Sequence, residues 1–123
     1  MGWDGIDEIR AAVRGWRTAT FHAIPFRHHR ALGGREPAPA KWARQGEIAH
    51  YMGYRPLYLT LRSLYRALRE PSALAMVWGY ARAAARRDPQ YADAEVRAWL
   101  RREQSLRRLR RRALEALGRV DPA

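Results

Sequence analysis

Ile6, Ile9, Val13 and Trp16 return every third or fourth residue, the spacing that puts side chains on one helix face. Acidic Asp4, Asp7 and Glu8 fall in the first turn, where the helix dipole favours them, and Gly15 stands where a helix stops. The pattern then changes. Thr18, Thr20, Phe21, Ile24 and Phe26 are β-formers and predict a strand over 18–26, with Pro25 marking its end or an edge position. A lone strand cannot satisfy its own backbone, so this one is expected to need a sheet lying outside the chain.

The Gly- and Pro-rich stretch 31–40, ALGGREPAPA, reads as a linker, and the helical rhythm resumes after it. Lys41 to Met52 carries Trp42, Ile48 and Tyr51 on one face, with Gly46 and Gly53 as breaks. Pro56 suits a first helical turn, and Leu57, Leu61, Leu64 and Leu68 form an apolar stripe. Pro71 restarts the chain before a second stripe of Leu74, Val77, Trp78 and Ala81. The two stripes are expected to pack together as the main core. Asp88-Pro89 interrupts, and from Asp93 onward Val96, Trp99, Leu100, Leu106, Leu109, Leu114 and Leu117 predict one long basic helix ending at Gly118. The fold class is therefore mainly α: a short helix–strand unit over 1–34, then a helical tail over 35–123.

With 123 residues there is room for one modest core. The absence of cysteine excludes disulfides, thiolate metal sites and thiol catalysis. No basic start with an apolar run opens the chain as a signal peptide would, and no stretch approaches the roughly 20 apolar residues of a membrane span. Charge changes the picture most. Lys and Arg number 24 against 12 acids, a formal net charge of +12, and Lys41 is the sole lysine. Arginine suits an anionic partner because its planar fork pairs with phosphate. A GC-rich genome would give the same composition, and composition alone does not choose between the two.

Three segments stand out together: GWDGIDEIRAAVRGW over 2–16, FRHHRALGG over 26–34 and QGEIAHYMGYRPLYLTLRSLYR over 45–66. In order and spacing they resemble the end of the catalytic domain of bacterial family 2 glycosyltransferases, followed by a helical tail. In that family an acidic residue opens a helix that a Gly-Trp or similar pair closes about eleven residues later. A strand ending in histidine and a glycine-containing loop follow. The resemblance implies that 1–34 is the C-terminal remnant of an α/β nucleotide-diphospho-sugar transferase domain. It places Asp4 at the catalytic base, with Asp7 as the nearby alternative, because Trp3 stands where the family has a preceding acid. The same two acids would also serve simply to start a helix. It places His28 or His29 beside the diphosphate and a divalent metal, Mg or Mn, with Arg27 and Arg30 toward the phosphates. The family's Asp-x-Asp metal motif is absent here, so no tightly bound metal is expected in this chain.

By the same resemblance the donor is a nucleotide sugar, the acceptor a glycan or lipid-linked molecule, and the location the cytoplasm, peripheral to the inner membrane face. The isolated chain is expected to be inactive. Arg107, Arg108, Arg110, Arg111 and Arg112 form the densest basic cluster, readable as a solvated helix face or as a contact for anionic lipid. A basic helical membrane-surface or partner-binding module without catalysis is the alternative. Nucleic acid fits less well, because no nucleic-acid-binding signature accompanies the charge.

Overall fold

The computed structural model describes residues 3–17, 19, 23 and 36–116, and for 3, 4 and 112–116 it describes the backbone alone. Every regular element among the described residues is helical: α1 (Trp3–Val13), α2 (Ala38–Tyr51), α3 (Pro56–Ala67), α4 (Ala75–Ala85), α5 (Ala94–Glu103) and α6 (Leu106–Ala116), with a 3-10 turn at Pro71–Leu74 leading into α4. The strand expected over 18–26 lies outside the described residues except at Ala19 and Ala23.

Local chemistry sets the boundaries. α1 and α2 both end in a glycine at positive φ, Gly15 at 81° and Gly53 at 79°. At these ends the backbone closes in the Schellman pattern, with Trp16 N–H donating to Ala11 O at 2.9 Å and Tyr54 N–H to Ala49 O at 3.0 Å. α4 closes the same way, but Arg87 takes the left-handed position at φ 54°. Asp93 caps α5, its Oδ1 accepting from Glu95 N–H at 2.9 Å and Val96 N–H at 3.3 Å.

Two cores meet at Tyr54. In the first, Ile6 and Ile9 of α1 pack with Met52, Val96 and Leu100, and Val13 lies against them. Of the helix face read from residues 6–13, Ile6 and Ile9 are thus buried and Val13 partly so, whereas Trp16 is exposed beyond the helix end. In the second, Ala49, Leu59 and Met76 are covered by Trp42, Tyr54 and Tyr80. α2 and α4 form the tightest pair, and two glycines explain why. A Cβ on Gly46 would lie 1.9 Å from Met76 O, and one on Gly79 would lie 1.9 Å from Ala43 O. Only bare backbone fits there. Gly46 therefore does not break α2, as the sequence suggested; it sits mid-helix and lets α4 approach.

Four further expectations are corrected. α2 begins at Ala38, inside the stretch read as linker, because Pro39 in the first turn has no N–H that a helix would leave unpaired. The long C-terminal helix is two helices, parted at Gln104 and Ser105. Gln104 is buried at this break, and its Oε1 accepts from Arg55 N–H at 2.8 Å, while Arg55 Nε donates to Arg101 O at 2.7 Å. The break thus satisfies a backbone donor at the start of α3 and a carbonyl near the end of α5. The Leu74/Trp78 stripe is exposed; the buried positions are Ala73, Met76, Gly79 and Ala83, a register that permits the close α2 crossing.

The fourth correction is the largest. Leu57, Leu61, Leu64 and Leu68 do share one face of α3, but that face is exposed. α3 rests on the opposite side, through Leu59 and Ser63, two positions on and about half a turn around. The Ser63 hydroxyl donates to Ala73 O at 2.8 Å, fixing this side against the 3-10 turn.

Candidate functional site

Asp4 and Asp7 lie in the first two turns of α1. Ile6 and Ile9 turn this helix inward, and Asp7 stands exposed. Asp7, Arg10, Ala11, Arg14 and Trp16 line an open groove of about 460 Å³. The exposed Asp7 carboxylate can accept a proton from a polar ligand, and the guanidinium groups of Arg10 and Arg14 along the same groove can hold an anion. Arg27, His28, His29 and Arg30 lie outside the described residues, so the carboxylate–histidine pairing implied by the resemblance has no described geometry. Among the described residues no three His, Asp or Glu side chains gather as a metal site would require.

A second cleft, of about 390 Å³, opens between α2 and the end of α4. Glu47, His50, Arg86 and Asp88 supply its polar wall. Glu47 is committed, since Oε1 accepts from both Arg82 and Arg86. His50 is buried, with its ring edge-on to Tyr80 at 5.4 Å and its backbone carbonyl accepting from Gln90 Nε2 at 3.2 Å. The Tyr80 hydroxyl in turn donates to Tyr54 O at 2.8 Å. Burial pushes that phenol above its ordinary range, opposed by the charge of Arg101. The ion pairs of Glu47 with Arg82 and Arg86 and the His50–Tyr80 ring contact tie α2 to α4, while His50 Nδ1 is buried with no hydrogen-bond partner among the described residues.

On α6, Arg107, Arg108, Arg110 and Arg111 are exposed, and Leu106 is exposed beside them. Arg108 reaches back to Glu103 at 2.6 Å, an ion pair that bridges the break between α5 and α6. Arg112 lies in the same helix, its side chain outside the described residues.

The feature that sequence reasoning missed is the outer face of α3. Leu57, Leu61, Leu64, Tyr65 and Leu68 form an exposed row, with Leu64 51% and Leu68 83% accessible. Arg62, Arg66 and Arg69 follow around one side of the helix, and among the described residues no acidic side chain forms an ion pair with them. Periodicity shows which residues share a face; it does not show whether that face turns inward. The available signal was the other side, where Thr60, Ser63 and Ala67 are small enough to let the helix lie close to its neighbours. Among the described residues no helix is long and apolar enough to cross a membrane. Compared with protein-family models, curated proteins and solved structures, the chain matches none.

Proposed function

We propose that the chain is the C-terminal part of a family 2 glycosyltransferase, with the helices from α2 onward forming a tail at the cytoplasmic membrane face. The enzyme would transfer a sugar from a nucleotide-diphosphate donor to a glycan or lipid-linked acceptor. The observation that carries this reading is α1 itself. It opens on Asp4 and Asp7, runs to Val13 and closes through Gly15 and Trp16, the succession by which the sequence resembles that family. In the reaction the carboxylate of Asp4, or of Asp7, takes the proton of an acceptor hydroxyl as its oxygen attacks the anomeric carbon. The bond to the donor diphosphate breaks, and its electrons leave with the phosphate oxygen. A divalent metal, held by His28 or His29 together with residues of the full-length enzyme outside this chain, would supply positive charge to that leaving group.

A second reading, a membrane-surface module without catalysis, is favoured by the exposed leucines of α3. It also ranks above nucleic-acid binding, because a row of leucines offers nothing to a phosphate backbone.

Two measurements test the proposal. Calorimetric titration of residues 1–123 with a panel of nucleotide sugars and Mn²⁺ is expected to give no saturable binding; a micromolar isotherm would place the donor site within this chain. The longest natural polypeptide containing these residues is expected to release nucleoside diphosphate from one donor of the panel. In it, Asp4→Asn or Asp7→Asn should lower kcat by roughly a hundredfold or more. Full turnover in both variants removes the α1 carboxylates from the chemistry, and no release with any donor sinks the family reading.

A further inference from the structure

We infer that the outer face of α3 is a docking surface for an anionic lipid bilayer, with the helix lying in the membrane plane. This names the surface through which the peripheral attachment proposed above would occur, and it stands whether or not the chain takes part in sugar transfer.

The orientation of α3 is fixed from behind. Leu59 is buried against Met76 and Ala49, and the Ser63 hydroxyl is bonded to Ala73 O, so the leucine row must face away from the bundle. Pro56 at the start of the helix and the Arg55–Gln104 hydrogen bond set where the row begins. Four leucines at positions 57, 61, 64 and 68 give it about three turns of length. They stay between 46% and 83% accessible, Leu68 the most.

Chemistry across the helix then identifies the occupant. Passing around α3 from the leucines, the next side chains are Tyr58 and Tyr65, and after them Arg62, Arg66 and Arg69. Apolar, amphipathic and cationic groups therefore follow one another in the order met on moving from acyl chains through the interface to lipid phosphate. The formal net charge of +12 draws the whole chain toward an anionic surface. A second copy of this chain fits the face poorly. A two-fold contact along the leucine row would set the arginines of one α3 near those of the other, with no acid on α3 to pair them. α6 has charge as dense, but its apolar contribution among the described side chains is limited to Leu106 and Leu109.

Co-sedimentation of the full chain with phosphatidylcholine vesicles, with and without phosphatidylglycerol, tests the inference. Binding is expected only where phosphatidylglycerol is present, weakening as salt is raised several-fold. Leu61→Gln combined with Leu64→Gln should reduce binding by at least about tenfold, with melting unchanged because both side chains are already exposed. Arg62→Gln combined with Arg69→Gln should weaken it while leaving the leucines in place, and Arg107→Gln combined with Arg110→Gln should matter less than either. The inference is overturned if the leucine variant binds as the parent does, or if neutral and anionic vesicles bind equally. It is equally overturned if the chain sediments as a dimer that the leucine variant dissociates. Transfer of the sugar to a water-soluble acceptor, with release of nucleoside diphosphate, needs no vesicle, so loss of one activity can be read apart from loss of the other.

Discussion

Gly79→Ala is expected to destabilise the protein by about 3 kcal/mol, the upper part of the range for overpacking a tight contact. An alanine in an exposed helix interior would normally help by about 1 kcal/mol relative to glycine. Here the added methyl group would sit 1.9 Å from Ala43 O, 2.6 Å from Ala43 C and 2.8 Å from Ala43 Cα. These are backbone atoms of the facing helix, so no side-chain rotation relieves the clash, and α2 and α4 must separate. Gly46→Ala meets Met76 O and Tyr80 N in the same way and should behave alike. Gly5→Ala is the matched control. Its Cβ would touch Met52 Cε at 3.5 Å, an ordinary contact, so helix propensity should dominate and stability hold or rise. Thermal melts followed by circular dichroism compare the three. A Gly79→Ala protein melting with the parent would mean that the α2–α4 crossing is looser than described.

The second large effect separates two leucines on one helix. Leu59 is 1% exposed, held between Met76 and Ala49, and truncating it to alanine leaves a void in the second core. A loss of about 2–5 kcal/mol is expected, depending on how far Met76 and Tyr54 relax into the space. Leu64→Ala, on the opposite face, should change stability by no more than about 0.5 kcal/mol. Urea denaturation of both variants gives the comparison directly. Equal losses would place the Leu64 face inside the core after all and would remove the proposed membrane surface with it.

The contrast between these leucines also marks what could be read from the chain. α1 was legible because one apolar face, an acidic first turn and a glycine stop all agree, and Ile6 and Ile9 are buried. The start of α3 at Pro56 and of α5 after Asp93 followed from side chains that act within a turn of themselves. What escaped detection depends on partners far along the chain. Gly46 reads as a helix breaker until Gly79 and Met76 arrive opposite it. Gln104 interrupts a helical pattern because an N–H at Arg55 requires its oxygen. The leucine stripe of α3 has the period of a core helix, and its direction is decided by Leu59 and Ser63 on the other side. For the candidate catalytic residues, Asp4 and Asp7 fall at a helix start as the pattern implied, while the histidine and arginine pair around 27–30 lies outside the described residues.

The glycine crossing has a consequence for how the protein opens. α2 and α4 are locked to one another directly, and α3 is an excursion of the chain between them, leaning on the bundle through Leu59 and Ser63. The segment from Pro56 to Leu68, held at its start by the Arg55–Gln104 hydrogen bond, is therefore expected to part from its support while the seam between Gly46 and Gly79 stays shut. Amide hydrogens of α3 should exchange with solvent by a sub-global opening, at lower free energy than those of α2 and α4, which await global unfolding. Uniform protection across all three helices would contradict this hierarchy. A hierarchy of this kind makes α3 the segment the protein can lend to its surroundings at the least structural cost.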